Sequence, residues 1–548
     1  MLGALALCTG TAACASAPSR NGVPTVARSA QPMTRAERTN YLETSHYEDV
    51  VSFLDSLKKL DAPLAFGSIG RTSESRQIPY VIASRPLVRS PADARATGKP
   101  IVYVQGNIHA GEVEGKEALL ALVRDLVFAT SPNVLDSIVL VAVPIYNADG
   151  NERFGPQERQ RTEQNGPELV GQRPNTQGSN GQGLDLNRDY VKAEAPETHA
   201  SLEMFNRWDP DVFVDLHTTD GSFHGYALTY SPSLNPAAAL GEYTRELLAE
   251  VRSRVRTRDS YETFDYGNFN DGGGREVSTD TVHDGWYTYD HRPRFGTNYY
   301  GLRNCVSVLS EAFSHDPFER RVKSTYAFTS ELLSLVAERG AAIRSMEKRA
   351  DDGAEPSARI ALRSALPKTA PSAPVRYEII ARTADTSRTQ PGVNRGVRRT
   401  GEIRTRLTPV FDRFVPTLVR PLPALYFFNR SDTALIARLH RHGVHTEEAT
   451  EVNGALEAFV IDTLVKSARP FQGHNEVRVE GHWEPFAPRV ANNVVVVRMD
   501  QPLRRLAAYL LDPESDDGLA TWNFFDASLA VCQPFPVMRL QAASTRSR

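Results

Sequence analysis

Polar residues break into four otherwise apolar runs of this sequence, and their types are those that hold a metal ion and move a proton. PIVYVQGNI runs into His109-Ala110-Gly111-Glu112, IVLVAVPIY into Asn147-Ala148-Asp149-Gly150, VFVDL into His217, and VSVLS into Glu311. His109 and Glu112 stand three residues apart across an expected strand-to-helix turn, so an imidazole and a carboxylate can face one ion. His217 would add a third ligand from a neighbouring strand. Two imidazoles and one carboxylate with a vacant position describe a catalytic rather than a structural zinc site, the open place serving water or substrate. An isolated H-x-x-E is better explained by a surface histidine beside a capping glutamate. The weight comes from four strand ends together, because ligands in open α/β sheets bind outside the carboxyl ends of the strands.

The elements that must position these groups alternate along the chain. HYEDVVSFLDSLKKL places Tyr47, Val50, Val51, Leu54, Leu57 and Leu60 at helical spacing. From there to about Gly340, β-rich runs (PIVYVQGNI, SIVLVAVPIYN, PDVFVDLH, NCVSVLSEAF) alternate with helical ones such as GKEALLALVRDLVF. Near-continuous Val/Ile/Leu strands between helices predict an α/β fold, a mixed, largely parallel twisted sheet with helices on both faces. Arg153 to Gly183, rich in Gly, Pro, Gln and Asn, reads as a long functional loop or an insertion, and YGNFNDGGGREVSTDTVHDG as a second loop that could rim a site. Composition divides the chain into a signal segment (1–16), a linker (17–35), a catalytic domain (36–349), a second linker (350–374) and a C-terminal α+β or β-rich accessory domain (375–548).

The 548 residues carry 63 basic and 66 acidic side chains for a net charge of −3, a balance that argues against a nucleic-acid or polyanion partner. MLGALALCTGTAACASAPS is uncharged, apolar and ends in small residues, which predicts export to the periplasm, the exterior or the cell envelope. Thr11-Ala12-Ala13-Cys14 resembles a bacterial lipoprotein processing site, so a lipid anchor at Cys14 and plain cleavage after a small residue both fit. Of four cysteines only Cys305 and Cys532 lie in the body, which excludes a disulfide scaffold and a Cys-rich zinc site.

Taken in order, the stations HAGE (109–112), NADG (147–150), Asn187-Arg188 in GLDLNRDY, His217 in VDLHTT and Glu311 in VLSEAF resemble the zinc carboxypeptidase family, the carboxypeptidase A/B-like metallopeptidases. The resemblance spans roughly residues 45 to 345; Ala148 stands where the family has proline. It implies one Zn2+ per catalytic domain on His109, Glu112 and His217, and Glu311 as general base toward the metal-activated water. It implies that Asn187 and Arg188 grip the free carboxylate of a peptide or protein C-terminus, and that Asp185 orients a ligand histidine through its other ring nitrogen. Arg159 and Arg161 both occupy the place of the family's oxyanion-stabilising arginine. Tyr289, 22 residues before Glu311, best matches its mobile tyrosine, with Tyr287 and Tyr300 as fallbacks.

Other residues have plainer readings. His224, His283, His291 and His315 fit no station and read as loop or surface histidines, with His283 or His291 able to line the mouth. RELLAEVRSRVRTR reads as a solvated helix face, and TWNFFD as accessory-domain core. Three functions remain in view: a metallocarboxypeptidase; a zinc amidase acting on N-acyl amino acids or peptidoglycan stem peptides; and a non-catalytic binding protein on a peptidase scaffold.

Overall fold

The structure, a computed structural model, describes residues 30–130, 132–153, 180–219, 222–269, 285–353, 359–382, 393–394, 397–486 and 490–542. Cys8, Cys14, Arg159, Arg161 and His283 lie outside these residues.

The β-branched runs form strands β1 (Leu64–Arg71), β2 (Gln77–Ala83), β3 (Ile101–Gly106), β4 (Val139–Val143), β5 (Val212–Thr218), β6 (Leu228–Pro232) and β7 (Thr263–Asp265). After the short β8 (Trp286–Tyr287), β9 (Val306–Ala312) completes an eight-stranded sheet in the order β1-β2-β4-β3-β5-β9-β6-β7. The central pairs β4-β3, β3-β5 and β5-β9 are parallel, and the antiparallel pairs lie toward the edges. Every residue of β3, β4, β5 and β9 is buried, as expected of strands covered on both faces.

Alternation assigns side chains to the two faces. Val102, Val104, Val212, Val214, Leu216, Val306 and Val308 join a core with the helices Tyr47–Lys59, Glu114–Phe128, Gly241–Arg254 and Phe318–Asp351. The opposite face, carrying Tyr103 and Phe213, packs on the helices Pro196–Trp208 and Gly296–Leu302, where Phe205 and Tyr300 stack at 3.7 Å between ring centres. Each fully buried aliphatic or aromatic side chain contributes about 1.5–3 kcal/mol, which makes these two cores the main stabilising term.

The chain continues as β10 (Arg359–Ala365), β11 (Ser372–Arg382), β12 (Val393–Asn394), β13 (Val397–Phe411), β14 (Val415–Pro421) and β15 (Leu425–Asn429). Then follow the helix Thr433–Arg441, β16 (Glu447–Asn453), β17 (Leu456–Lys466), β18 (Val477–Pro485), β19 (Val490–Arg498), the helix Arg504–Leu511 and β20 (Met538–Leu540). A six-stranded sheet, β16-β19-β15-β20-β17-β18, gives this region its β-rich character. The segment read as a second linker is not one throughout: β10 pairs with β14, and Ile360 and Leu362 are buried in the same core as Tyr103 and Phe213. Its Ala, Ser and Pro content hid two apolar positions whose partners lie far away in sequence. β13 also pairs with β8, so the accessory strands are stitched into the catalytic region.

His224, His291 and His315 are buried rather than superficial. His224 packs at a tilt against Phe313 with ring centres 4.2 Å apart and His315 stacks on Phe223 at 4.0 Å, while His291 Nε2 lies 3.1 Å from Asp516 Oδ2. Sequence alone misplaces them because their covering comes from strands and loops remote in the chain. The arginine-rich helix is also less solvated than expected, since Arg245 bonds Asp412 at 2.9 Å and Arg252 lies over Phe264. Trp522 of TWNFFD is fully buried, as expected of core. Among the described residues no helix is long and apolar enough to cross a membrane.

His442 joins the two regions: Tyr299 Oη lies 2.7 Å from its Nδ1, and Arg303 donates to its carbonyl at 2.8 Å. Burial, with Arg438 and Arg303 nearby, pushes its pKa down to about 3. The unfolded chain binds that proton near pH 6.5, so the stability His442 contributes is complete above about 6.5 and is lost as pH falls toward 3. Urea midpoints between pH 7.5 and 4 should therefore decline on acidification, and His442→Asn should give a lower midpoint at pH 7.5 with a shallower decline.

Candidate metal centre

β3 ends at Gly106 and the next helix begins at Glu114, so His109 and Glu112 sit in the turn between them. The turn is tight: Asn107 has φ 63°, and its side-chain amide donates to the carbonyls of His109 and Ala110. Gly106 suits the close approach there, since a Cβ would lie 3.0 Å from the Gly115 carbonyl carbon and push the helix start outward. His217 lies near the end of β5, the parallel neighbour of β3.

Glu112 bridges the two rings. Its Oε1 lies 2.9 Å from His109 Nδ1 and its Oε2 2.8 Å from His217 Nδ1, while the Thr218 amide donates to Oε2 at 3.1 Å. The far nitrogens face carboxylates as well: His109 Nε2 is 3.2 Å from Asp185 Oδ1, and His217 Nε2 is 2.9 Å from Asp215 Oδ2. Asp215 is fully buried and fixed through its other oxygen by Gln105 Nε2 at 3.1 Å, and Gln105 also donates to the Tyr190 hydroxyl.

This arrangement tests whether the residues fit a metal. Two neutral imidazoles carry two N–H hydrogens, yet four ring nitrogens face carboxylate oxygens. Without a metal the cluster balances only by protonating both rings. Burial opposes that, but Glu112 and Asp185 outweigh it and lift His109 to about 9; Asp215 and Glu112 raise His217 well above its usual value. His109 and His217 overcome burial to hold Glu112 well below the usual carboxylate range, and Arg188 together with His109 does the same for Asp185. A divalent cation in place of the two Nδ1 protons removes the need to protonate both rings, leaving His109 Nε2–H to Asp185 while His217 Nε2, 2.9 Å from Asp215 Oδ2 but outside hydrogen-bonding geometry, faces it as a charge. The His109, Glu112 and His217 donor atoms lie within 4.8 Å of one another, and two imidazoles with one carboxylate suit zinc.

The remaining sequence-derived residues gather unevenly around this cluster. Glu311 pairs in register with His217 across the parallel β5-β9 ladder, so both side chains leave the same face, two residues beyond Asp215 and Leu309. Asn187 and Arg188 belong to the short 3-10 turn Leu186–Arg188, which Asp185 opens by accepting from the Asn187 amide at 2.9 Å. Asn187 Oδ1 accepts from Gly296 N at 2.9 Å, which spends its carbonyl on the fold. The Arg188 guanidinium lies over the Phe295 ring at 4.0 Å with its side chain partly exposed. Tyr289 packs edge-on against Phe295 at 5.3 Å, and burial together with the Glu311 charge raises its hydroxyl pKa.

The fallback tyrosines are engaged elsewhere. Tyr300 is buried against Phe205 with its hydroxyl 2.9 Å from Ser201 Oγ, and Tyr287 stacks on Phe411. The NADG turn is structural: buried Asp149 accepts from Thr72 Oγ1, Ser73 Oγ, the Glu74 amide and Arg76. Sequence reasoning missed Asp215, Gln105 and Phe295. For the first two a signal existed, because Asp215 stands two residues before His217 on one strand face and Gln105 interrupts an apolar strand.

Substituting Asp215→Asn should leave the fold intact but remove the anionic partner of His217 Nε2, weakening zinc about 10–100-fold in competition with a chelator. Stripping the metal should lower the thermal midpoint, and added zinc should restore it.

Residues 50–300 match the zinc carboxypeptidase family, a span that ends before Glu311. The chain is similar to carboxypeptidase 2 of Trichophyton rubrum, 22% identical over 539 residues that cover 90% of this chain and 86% of that one. It is also similar to carboxypeptidase D of Mus musculus, 30% identical over 164 residues, 27% of this chain and 10% of that one. A metallo-carboxypeptidase structure from Burkholderia cenocepacia aligns at 18% identity and TM-score 0.39 over 54% of this chain and 71% of that one. Through residues 50–300 the chain belongs to the zinc carboxypeptidase family, and it is a metallocarboxypeptidase, a zinc-dependent peptide hydrolase.

Proposed function

We propose that the enzyme removes residues from the C-terminal ends of exported peptides or proteins, with Glu311 as general base and Asn187 and Arg188 as the carboxylate clamp. The observation that carries this reading is the bridged Glu112 carboxylate between two Nδ1 atoms, with Glu311 in register beside His217 on the same sheet face. Zinc on His109, Glu112 and His217 supplies Lewis-acid polarisation of the scissile carbonyl and acidifies water.

The chain's own residues do the rest. Asp185 and Asp215 hold the two imidazoles with Nδ1 directed at the cation site. Glu311 takes a proton from the attacking water and passes it to the departing amide nitrogen, which leaves as a neutral amine. The Arg188 guanidinium, steadied on Phe295 and partly exposed, offers paired N–H groups to a terminal carboxylate. The Asn187 side-chain amide group remains to donate beside it, since its carbonyl is taken by Gly296. A clamp for an anion favours chain ends over interior peptide bonds. Tyr289 stands against Phe295, next to the clamp, where a phenol can cover bound substrate. Arg159 or Arg161 remains the proposed source of the second positive charge on the tetrahedral oxyanion. Export rests on the uncharged, small-residue-ended first 19 residues.

The test is a digest of a peptide and its C-terminal amide by the zinc-loaded full chain, followed by mass spectrometry. Residues should leave one at a time from the free acid, with the amide resistant. Glu311→Gln should retain zinc and lose about 10²–10⁴ in kcat. Internal cleavage, or equal attack on the amide, would sink the reading.

A further inference from the structure

The accessory region reaches back to the clamp through one side chain. Between β17 and β18 the chain reverses at Phe471–His474, where the Phe471 amide donates to the His474 carbonyl at 2.7 Å and the His474 amide returns the bond at 3.0 Å. Gln472 and Gly473 have φ of 50° and 81°, the left-handed pair of a two-residue hairpin loop. Glycine occupies such a position freely; glutamine does not, and asparagine or glycine is the cheaper first residue. What glutamine adds is reach. Its Oε1 accepts the Asp185 backbone N–H at 3.1 Å, the amide at the start of the turn Leu186–Arg188. Asparagine, one methylene shorter, would suit the backbone better and fall short of Asp185.

The hairpin is anchored on both sides of that turn. His474 Nε2 lies 3.1 Å from Glu194 and its Nδ1 3.2 Å from Asn523 Oδ1. Arg294, next to Phe295, binds Asp517 at 2.7 Å with its guanidinium 4.5 Å from the centre of the Trp522 ring and 5.4 Å from that of Phe471. Lys192 Nζ lies 4.7 Å from the same Trp522 ring. A strained residue held this firmly against a functional turn signals selection for position.

We propose that Gln472 is a positioning residue for substrate binding: by holding the Asp185 amide it sets the turn that aims Asn187 and Arg188, so the accessory region completes the active site. This rests on the reading of Asn187 and Arg188 as the carboxylate clamp. Asp185 Oδ1 also faces His109 Nε2 and accepts the Asn187 amide, so zinc content is read beside KM to separate an effect on the clamp from one on the metal.

The test compares full-length, zinc-loaded wild type with Gln472→Asn, Gln472→Gly and Arg188→Ala. The readouts are KM and kcat for an N-blocked dipeptide with a free carboxylate, Ki for its C-terminal amide, zinc content and thermal midpoint. Both Gln472 variants should raise KM about three- to tenfold, with kcat within twofold, full zinc and a midpoint at or above wild type. A lowered midpoint with KM unchanged would mark a purely structural residue and overturn the proposal. So would unchanged KM in both Gln472 variants while Arg188→Ala raises it strongly, and there the clamp reading survives. If Arg188→Ala leaves the preference for acid over amide untouched, the clamp reading fails and this proposal falls with it.

Discussion

One carboxylate shared by two imidazoles is the constraint to which the rest of the molecule answers. Glu112 sits between His109 and His217, and each ring is backed by an aspartate on its far nitrogen. Burying this much charge without compensation costs several kcal/mol per ion, so the cluster persists only where every oxygen and nitrogen has a partner at close range. Parallel strands β3 and β5 solve the geometry. They bring residues 105 positions apart into contact, and their covered faces exclude the water that would otherwise screen the contacts. The Gln105 bond to Asp215 across the same strand pair ties the outer carboxylate to the sheet itself.

Much of this was legible because polar residues at the ends of apolar strands have no packing reason to be there. His109, Glu112, His217 and Glu311 stand out for that reason, and the sheet order brings their strand ends side by side. Asp185 was readable only through the resemblance, and Asp215 only to an eye for strand alternation. What stayed hidden was non-local burial. His224, His291 and His315 look like loop residues until Phe313, Phe223 and Asp516 arrive from elsewhere to cover them. Strand β10 hides likewise in an Ala/Ser/Pro-rich stretch, since composition reports solubility and not the partner strand β14.

The accessory region is equally a matter of face. Asp215, His217 and Glu311 alternate with Val214, Leu216 and Val308, which places them on the side of the sheet that carries Tyr103 and Phe213. That side shares one continuous core with Leu362, Tyr426, Phe459 and Leu506 of the C-terminal region. The similarity to the Trichophyton rubrum protein likewise runs over 90% of this chain, well past the catalytic stations. A unit that shares both a core and a relative's alignment with the catalytic region is poorly described as an appendage.

Catalytic geometry tolerates errors of only about 0.5 Å, so a short turn carrying the groups that grip substrate needs support beyond its own hydrogen bonds. The turn Leu186–Arg188 has few of its own: it is three residues long, and Asn187 departs from helical dihedrals. Its supports come from three directions, Gly296 on Asn187, Phe295 under Arg188, and Gln472 on Asp185. Two of these belong to the catalytic region and one to the accessory sheet, and Arg294 binds Asp517 between them. Motion of the accessory hairpin is therefore mechanically coupled to the substrate end of the site and, through Asp185, to His109, whereas Asp215 and Gln105 answer to the central sheet.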